Sequence, residues 1–231
     1  MRYREAWALQ ERVHAEVVEG GDERLLVVEH PPVITLGRRA GQQRHILSPA
    51  GSLQRAGVEV VESDRGGDVT FHGPGQLVAY PIVRLNDHRL SVGGYVRRLQ
   101  EIVIATLDDL GVPAQLDPAA IGIWTCAEQP SSQLAAQRSP AASVSSSPAC
   151  QLAKICAIGV RIRRGVSMHG LALNVTADLR YFNHIIPCGL PDRSVISVHK
   201  VLGDACPPME QVKRHLADRM TEAFGPLRHE T

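Results

Sequence analysis

The chain has 231 residues, 44% apolar and 21% charged, with 25 Lys and Arg against 24 Asp and Glu for a net charge of +1. That usage is ordinary for a globular protein and excludes a disordered or fibrous one. The balanced charge and 4% aromatic content exclude the basic, base-stacking surfaces of nucleic-acid binders. No apolar run approaches the roughly 20 residues that cross a bilayer. The N-terminus, Met1-Arg2-Tyr3-Arg4-Glu5, has no signal-peptide core and carries an early acid. A soluble, cytoplasmic protein with neither nucleic-acid nor membrane partner is expected.

Tyr3, Trp7, Gln10, Val13 and Val17 recur at helical spacing and predict a helix over 3–18. Short strands are expected at Leu25–Glu29, Val33–Leu36 and Val58–Val61. From Asp68 to Leu85 the pattern is β-like, broken by a sharp turn at Gly73-Pro74-Gly75. Val92, Val96, Leu99, Val103, Leu107 and Leu110 mark one face of a long helix, stopped by Gly111 and Pro113. Residues 127–149 are Ser, Ala, Pro and Gln with almost no large apolar side chain. Such a segment cannot bury enough surface to offset the entropy of ordering, so a mobile surface insertion is expected. Lys154 to Val175 reads as a hairpin turning at Arg164-Gly165, and Met209 to Phe224 as a last helix. Because the strand pattern resumes after the insertion, 1–231 is expected to form one domain. Its class is α/β (α+β): a mixed, largely antiparallel sheet flanked by helices.

Five cysteines without a Cys-x-x-Cys pair predict reduced thiols in a reducing compartment. The ten histidines are scattered, and His184 and Cys188 have no second pair nearby. No metal site is expected.

Four segments carry candidate chemistry. Arg65-Gly66-Gly67-Asp68-Val69-Thr70-Phe71-His72, followed by Gly73-Pro74-Gly75-Gln76, lets backbone approach a ligand closely. It is neither a dinucleotide fingerprint nor a P-loop, and a bulge plus a turn would read the same. Lys154-Ile155-Cys156-Ala157-Ile158-Gly159 continues the alternation of Ile162 backward, which would put Lys154 and Cys156 on the apolar face. A buried lysine there has a lowered pKa and can act as a base; a strand-end lysine snorkelling to water is the alternative. His169 interrupts an apolar strand, where a lone histidine is more often a hydrogen-bonded core residue than a catalyst. Cys188 lies between Pro187 and Gly189, which constrain the thiol as a candidate nucleophile; an inert small hydrophobe is the other reading.

In order and spacing these segments resemble the lipoyl(octanoyl) transferases, a family of the biotin/lipoate protein ligase superfamily. The matching pieces begin with Glu29-His30-Pro31-Pro32-Val33, Thr35-Leu36-Gly37, Arg65 through Gln76 and Ile121-Gly122-Ile123-Trp124. They continue with Lys154-Ile155, Ala157-Ile158-Gly159, His169 through Asn174 and Pro187-Cys188-Gly189. The resemblance implies a ligase-like fold and two acyl transfers without a nucleotide or other cofactor. Octanoyl would pass from acyl carrier protein to Cys188 as a thioester. From there it would pass to a lysine of a lipoyl domain, in 2-oxoacid dehydrogenase complexes or a glycine-cleavage H-type protein. Lys154 matches the family's base, as a neutral base or as a charged partner of the thiol. Residues 65–72, Ala157, Ile158, Gly159, His169, Gly170, Leu171 and Ala172 would line the acyl site. His72 and His169 would orient the reacting groups, and N–H groups near Gly170 or Gly189 would form an oxyanion hole. An ATP-dependent lipoate or biotin ligase on the same fold is the alternative.

Three departures from the family pattern matter. Phe71 stands where tyrosine is usual, and the insertion separates Trp124 from Lys154. Cys156 stands where a small residue is usual, as a thiol that would compete for acyl groups or pair with Cys188. Arg161, Arg163 and Arg164 would face an acidic carrier, or form a solvated hairpin tip.

Overall fold

The stripe from Tyr3 to Val17 forms α1 (Tyr3–Val18), whose Ala6, Val13 and Val17 are buried. The computed structural model describes residues 1–39, 41–127, 150–189 and 193–230. After α1 come β1 (Arg24–Val28), β2 (Val33–Leu36), α2 (Ala50–Arg55), β3 (Glu59–Glu62), β4 (Thr70–His72) and β5 (Gln76–Ile82). α3 (Val92–Asp109), β6 (Gln115–Asp117), β7 (Ala120–Cys126), β8 (Leu152–Arg163) and β9 (Val166–Asn174) follow. β10 (Ser194–Val195), α4 (Val198–Leu202), α5 (Met209–Phe224) and β11 (Arg228–Glu230) complete the chain.

Among the described residues the strands form two sheets. The larger runs β11-β1-β5-β9-β8-β7-β6, with β10 beside β8; the smaller is β3-β2-β4. Pairing is antiparallel except at β1–β11, β10–β8 and β2–β3, which is the mixed, largely antiparallel sheet expected. The β8–β9 hairpin turns through Arg164 (φ 52°) and Gly165 (φ 78°), the double positive φ that suits the strands' right-handed twist.

Period-two alternation divides the large sheet into two faces. One packs Leu26, Val78, Tyr80 and Ile82 against α1. The other buries Leu25, Leu77, Leu171 and Leu173 under α3 and α5, through Leu99, Val103, Val212, Leu216 and Met220. Each such side chain contributes about 1.5–3 kcal/mol by leaving water. Ser91 caps α3 by accepting the Gly94 N–H at 3.1 Å. That cap places Val92 in the first turn, where it is exposed and not on the buried stripe.

Cysteine usage differs from expectation. Cys126, at the end of β7, is disulfide-bonded to Cys150, just before β8, with the Cα atoms 5.6 Å apart. Cys126 pairs with Leu152 in the β7–β8 ladder and Cys150 lies two residues before that partner, at a spacing a disulfide spans. Of the expected insertion 127–149, only Ala127 falls among the described residues, its N–H donating to the Gln151 carbonyl at 2.9 Å.

Candidate active site

The glycine-rich segment leaves β3 and runs across β8 before entering β4. Its approach is too close for side chains. A Cβ on Gly66 would sit 2.8 Å from the Val160 carbonyl oxygen, and one on Gly159 would sit 2.7 Å from that of Gly66. Arg65 fixes the segment from below. Buried, it donates to the Thr35 carbonyl at 2.7 Å, the Thr35 hydroxyl at 2.9 Å and the Gly66 carbonyl at 3.1 Å.

Behind this loop lies a cavity. Arg65, Gly67, Asp68, Thr70 and His72 line one side; Ala157, Ile158, Gly159, His169, Gly170, Leu171 and Ala172 line the other. Gly66, Val69 and Phe71, grouped with them by sequence, do not line it. Gly66 faces the neighbouring groove. Val69 and Phe71 point into a separate apolar cluster, where Phe71 stacks on Tyr181 with ring centroids 4.8 Å apart. The missing tyrosine hydroxyl at Phe71 therefore costs this cavity no polar group.

Tyr3, Val78 and Tyr80 complete the wall; sequence patterning had placed Tyr3 only on a buried helix face. The polar groups of this wall bond among themselves. Tyr80 donates to His30 Nε2 at 2.7 Å, whose Nδ1–H donates to the Met1 carbonyl. His72 Nδ1–H donates to Gln76 Oε1 at 2.7 Å, and Gln76 Nε2 donates to Asn174 Oδ1 at 2.8 Å. Burial keeps these imidazoles neutral. Desolvation pulls His30 down to about 4 and His72 well below its ordinary value, the latter helped by the charges of His30 and Arg65.

His169 takes a left-handed backbone conformation (φ 56°) and its N–H donates to Gln10 Oε1 at 2.8 Å. Its Nε2–H donates to Asp64 Oδ1 at 2.6 Å. That carboxylate would ordinarily favour the imidazolium, but Arg161 already pairs with it. Desolvation, with Arg65 and Arg161 adding positive charge nearby, takes His169 down to about 3. A neutral His169 is a poor match for a primary proton donor at neutral pH. Its Nδ1 makes no hydrogen bond among the described residues.

A second groove meets this cavity at Gly67, Asp68, Ile158 and Gly159, and Lys154 lines it with Arg39 and Ile121. The position of Lys154 depends on a β-bulge. Trp124 pairs with Lys154 but Ile123 pairs with Cys156, leaving Ile155 as an extra residue in β8. Ala153, Ile155 and Cys156 all lie in the core under α3 and α5. The simple alternation expected for Lys154 and Cys156 is therefore broken, and the two side chains leave opposite faces. Cys156 is fully buried and burial pushes its thiol up to about 12, so it carries little thiolate at neutral pH.

Lys154 is 6% exposed. Its Nζ donates to the Ile121 carbonyl at 3.0 Å and lies 4.7 Å from the Trp124 ring centroid. Gly122 (φ 136°) makes room for the stem, since a Cβ there would sit 3.1 Å from Lys154 Cε. The backbone of Cys188 lies in the 3₁₀ turn Pro187–Gly189. A small cavity of about 170 Å³ is lined by both Pro187 and Lys154, so this turn borders the lysine. Gly189 N–H donates to the Ile186 carbonyl at 3.0 Å, and Gly170 lies opposite Gly159 in the β8–β9 ladder. Arg161 pairs with Asp64 and Arg163 with Glu11, so two of the three hairpin guanidinium groups are engaged within the chain.

Residues 2–221 match the model of the lipoyl protein ligase A/B catalytic domain. The chain belongs to this family. An octanoyltransferase of Chloroflexus aurantiacus is 44% identical over 226 residues, covering 96% of this chain and 90% of the relative. One from Nitratidesulfovibrio vulgaris is 38% identical, covering 97% and 91%. A bipartite lipoate protein ligase of Thermoplasma acidophilum superposes with a TM-score of 0.68 at 15% identity, over 96% of this chain and 82% of that one. A lipoate-protein ligase A bound with ATP gives 0.67 at 14% identity, over 94% and 82%. At such identities these two establish the lipoate ligase fold and nothing about chemistry. In this member of the family the glycine-rich loop and β8 line a pair of joined cavities, and the Pro187–Gly189 turn borders Lys154 across a third, smaller one.

Proposed function

We propose that this protein is an octanoyltransferase of lipoate biosynthesis, moving octanoyl from acyl carrier protein to a lysine of lipoyl domains through a thioester on Cys188. The observation that carries the reading is the junction of a cavity walled by hydrogen-bonded, neutral polar groups with a groove lined by a buried lysine that borders the cysteine turn. The octanoyl chain would lie along the apolar side of that cavity, against Ile158, Leu171 and Ala172. The thioester end would then emerge between Gly67 and Gly159, where the groove begins. Residues 1–231 act as one catalytic domain, with 127–149 dispensable to it.

In the first step the Cys188 thiol attacks the carrier thioester and releases the phosphopantetheine thiol. In the second the lysine amine of the acceptor attacks the acyl-enzyme, giving an amide and regenerating Cys188. Thioester exchange is nearly isoenergetic and aminolysis is downhill, so no nucleotide has to be consumed. A thiol of ordinary pKa ~8.5 is only a few per cent thiolate at neutral pH. Lys154 supplies the base of the transfer, able to take a proton from the incoming ammonium. The carrier, the H-type and dehydrogenase lipoyl domains, and a cytoplasmic setting follow from the family resemblance. Among the described residues no helix is long and apolar enough to cross a membrane.

The test is transfer of octanoyl from octanoyl-carrier protein to a lipoyl domain in the absence of ATP, read as a mass gain on the acceptor. Transfer without ATP supports the reading. Transfer that requires ATP and free octanoate assigns the chain to the adenylating ligases that share its fold.

A further inference from the structure

Where β2 ends, the chain turns over the glycine-rich loop and is strapped to it. A Cβ on Gly37 would lie 2.5 Å from the Gly67 carbonyl oxygen, and Arg38 N–H donates to the Arg65 carbonyl at 3.1 Å. The Gln42 side chain accepts the Gly37 N–H at 2.6 Å and donates to the Gly67 carbonyl at 3.2 Å. His45 Nδ1–H donates to Asp68 Oδ1 at 2.8 Å. Backbone held in this way leaves Arg38, Arg39 and Arg44 exposed. Among the described residues no carboxylate pairs with any of the three. Of the carboxylates that meet this segment, Asp68 is taken by His45, and Glu62 accepts from the neutral Gln43 at 3.2 Å. Arg39 lines the Lys154 groove, as does Ile121, which is 60% exposed. At the β8–β9 hairpin, by contrast, Arg161 and Arg163 are committed to Asp64 and Glu11. The chain's net charge is only +1, so attraction of an anionic partner has to come from a local excess of this kind.

We propose that Arg38, Arg39 and Arg44, with Ile121 as an apolar contact, form the docking surface for the carboxylate-rich body of the carrier protein that delivers the acyl thioester. This rests on the octanoyl-transfer reading above. An exposed apolar side chain beside a charged rim is the usual build of a specific interface, and the rim's charge sets encounter rate and partner choice. Charge also separates the two substrates that share the groove. The acceptor brings a lysine ammonium, which three guanidinium groups repel. The donor brings a neutral thioester on an arm rooted by a phosphodiester in an acidic protein, which they attract. The strapping to Gly67 and Arg65 ties this surface to the loop beside which the thioester would lie, so a docked carrier has its arm at the groove.

Charge reversal of the two arginines outside the groove, Arg38→Glu with Arg44→Glu, tests the assignment. Acylation is followed as mass gain on the enzyme over a range of octanoyl-carrier concentrations. The double variant is expected to raise the half-saturating concentration about tenfold or more, with the rate at saturation within about twofold. Octanoyl-pantetheine and octanoyl-phosphopantetheine, which lack the protein body, should acylate it as they acylate the unsubstituted protein. Raising the salt should weaken carrier saturation of the unsubstituted protein and leave that of the variant nearly flat. Arg164→Glu at the hairpin tip should change none of these. An unaltered carrier dependence in the double variant overturns the proposal, as does an equal loss with octanoyl-pantetheine. A loss as large with octanoyl-phosphopantetheine would assign the arginines to the arm's phosphate instead, and a larger loss in transfer to the lipoyl domain would assign them to the acceptor; either result overturns carrier docking. Absence of any acyl-enzyme on the unsubstituted protein, with every donor, would instead remove the reading beneath it.

Discussion

The first cavity is walled by Tyr3, His72, Tyr80 and His169, whereas the groove it joins carries Arg39, Ile121 and Lys154. Every histidine in the first wall is held neutral by burial, and its hydrogen bonds run inward to Gln76, Asp64 and, through Tyr80, to His30. In the second, a lysine donates to the Ile121 carbonyl and lies against an aromatic face. One glycine-rich loop separates the two environments. On the proposed reading, one sheet presents neutral, mutually bonded polar groups to the acyl chain and a lysine to the adjoining groove where the transfer takes place. Both sets are buried, and what divides them is which cavity they line.

Removing the proposed base should have the largest effect on rate. Lys154→Ala is expected to lower octanoyl transfer about 10²–10⁴-fold, measured as kcat with saturating carrier, with little change in melting temperature. A loss confined to KM would place Lys154 in binding and blur the division between the cavities. The junction itself can be closed next. A Cβ at Gly159 meets the Gly66 carbonyl oxygen at 2.7 Å, so Gly159→Ala should push the loop outward. A displacement of that kind costs roughly 10²-fold in kcat/KM and overpacking about 1–3 kcal/mol of stability; full activity would show that the loop does not position the acyl chain.

Acid should destabilise the fold through the histidines buried at and behind the cavity wall. The folded-state values of His30 (about 4) and His169 (about 3) lie below the ordinary 6.5. Below pH 6.5 the unfolded chain gains protons that the folded one refuses. Stability is therefore complete above 6.5 and lost as the pH falls toward 3. At pH 5 each histidine costs about 2 kcal/mol, so urea midpoints should fall between pH 7 and 5. A flat profile would mean that these imidazoles are not desolvated. The smallest effect expected is that of Tyr80→Phe. It leaves His30 Nε2 without its 2.7 Å donor and should cost about 1–3 kcal/mol in a denaturant melt, with kcat nearly unchanged.

The long elements were legible because their periodicity is carried by many residues: α1, α3, α5 and the β8–β9 hairpin stand where the apolar pattern put them. The short pieces β6, β10, β11 and the turn at Pro187–Gly189 have too few residues to show a period. The candidate site was legible as motifs but not as geometry. Strict alternation put Lys154 beside Cys156, and only the pairing with β7 reveals the extra residue at Ile155 that turns the lysine to the other face. Tyr3, Val78 and Tyr80 carry no motif and join the cavity through tertiary packing alone. The Cys126–Cys150 bridge joins residues 24 apart across a segment without secondary-structure signal, which conceals from sequence that the two meet.

The most direct test of the covalent route is the intact mass of the protein after mixing with octanoyl-carrier protein without ATP, alongside Cys188→Ala. A gain of one octanoyl group that hydroxylamine removes, absent from Cys188→Ala, is the predicted result. An unmodified protein that still octanoylates a lipoyl domain, or an adduct that persists in Cys188→Ala, would contradict it.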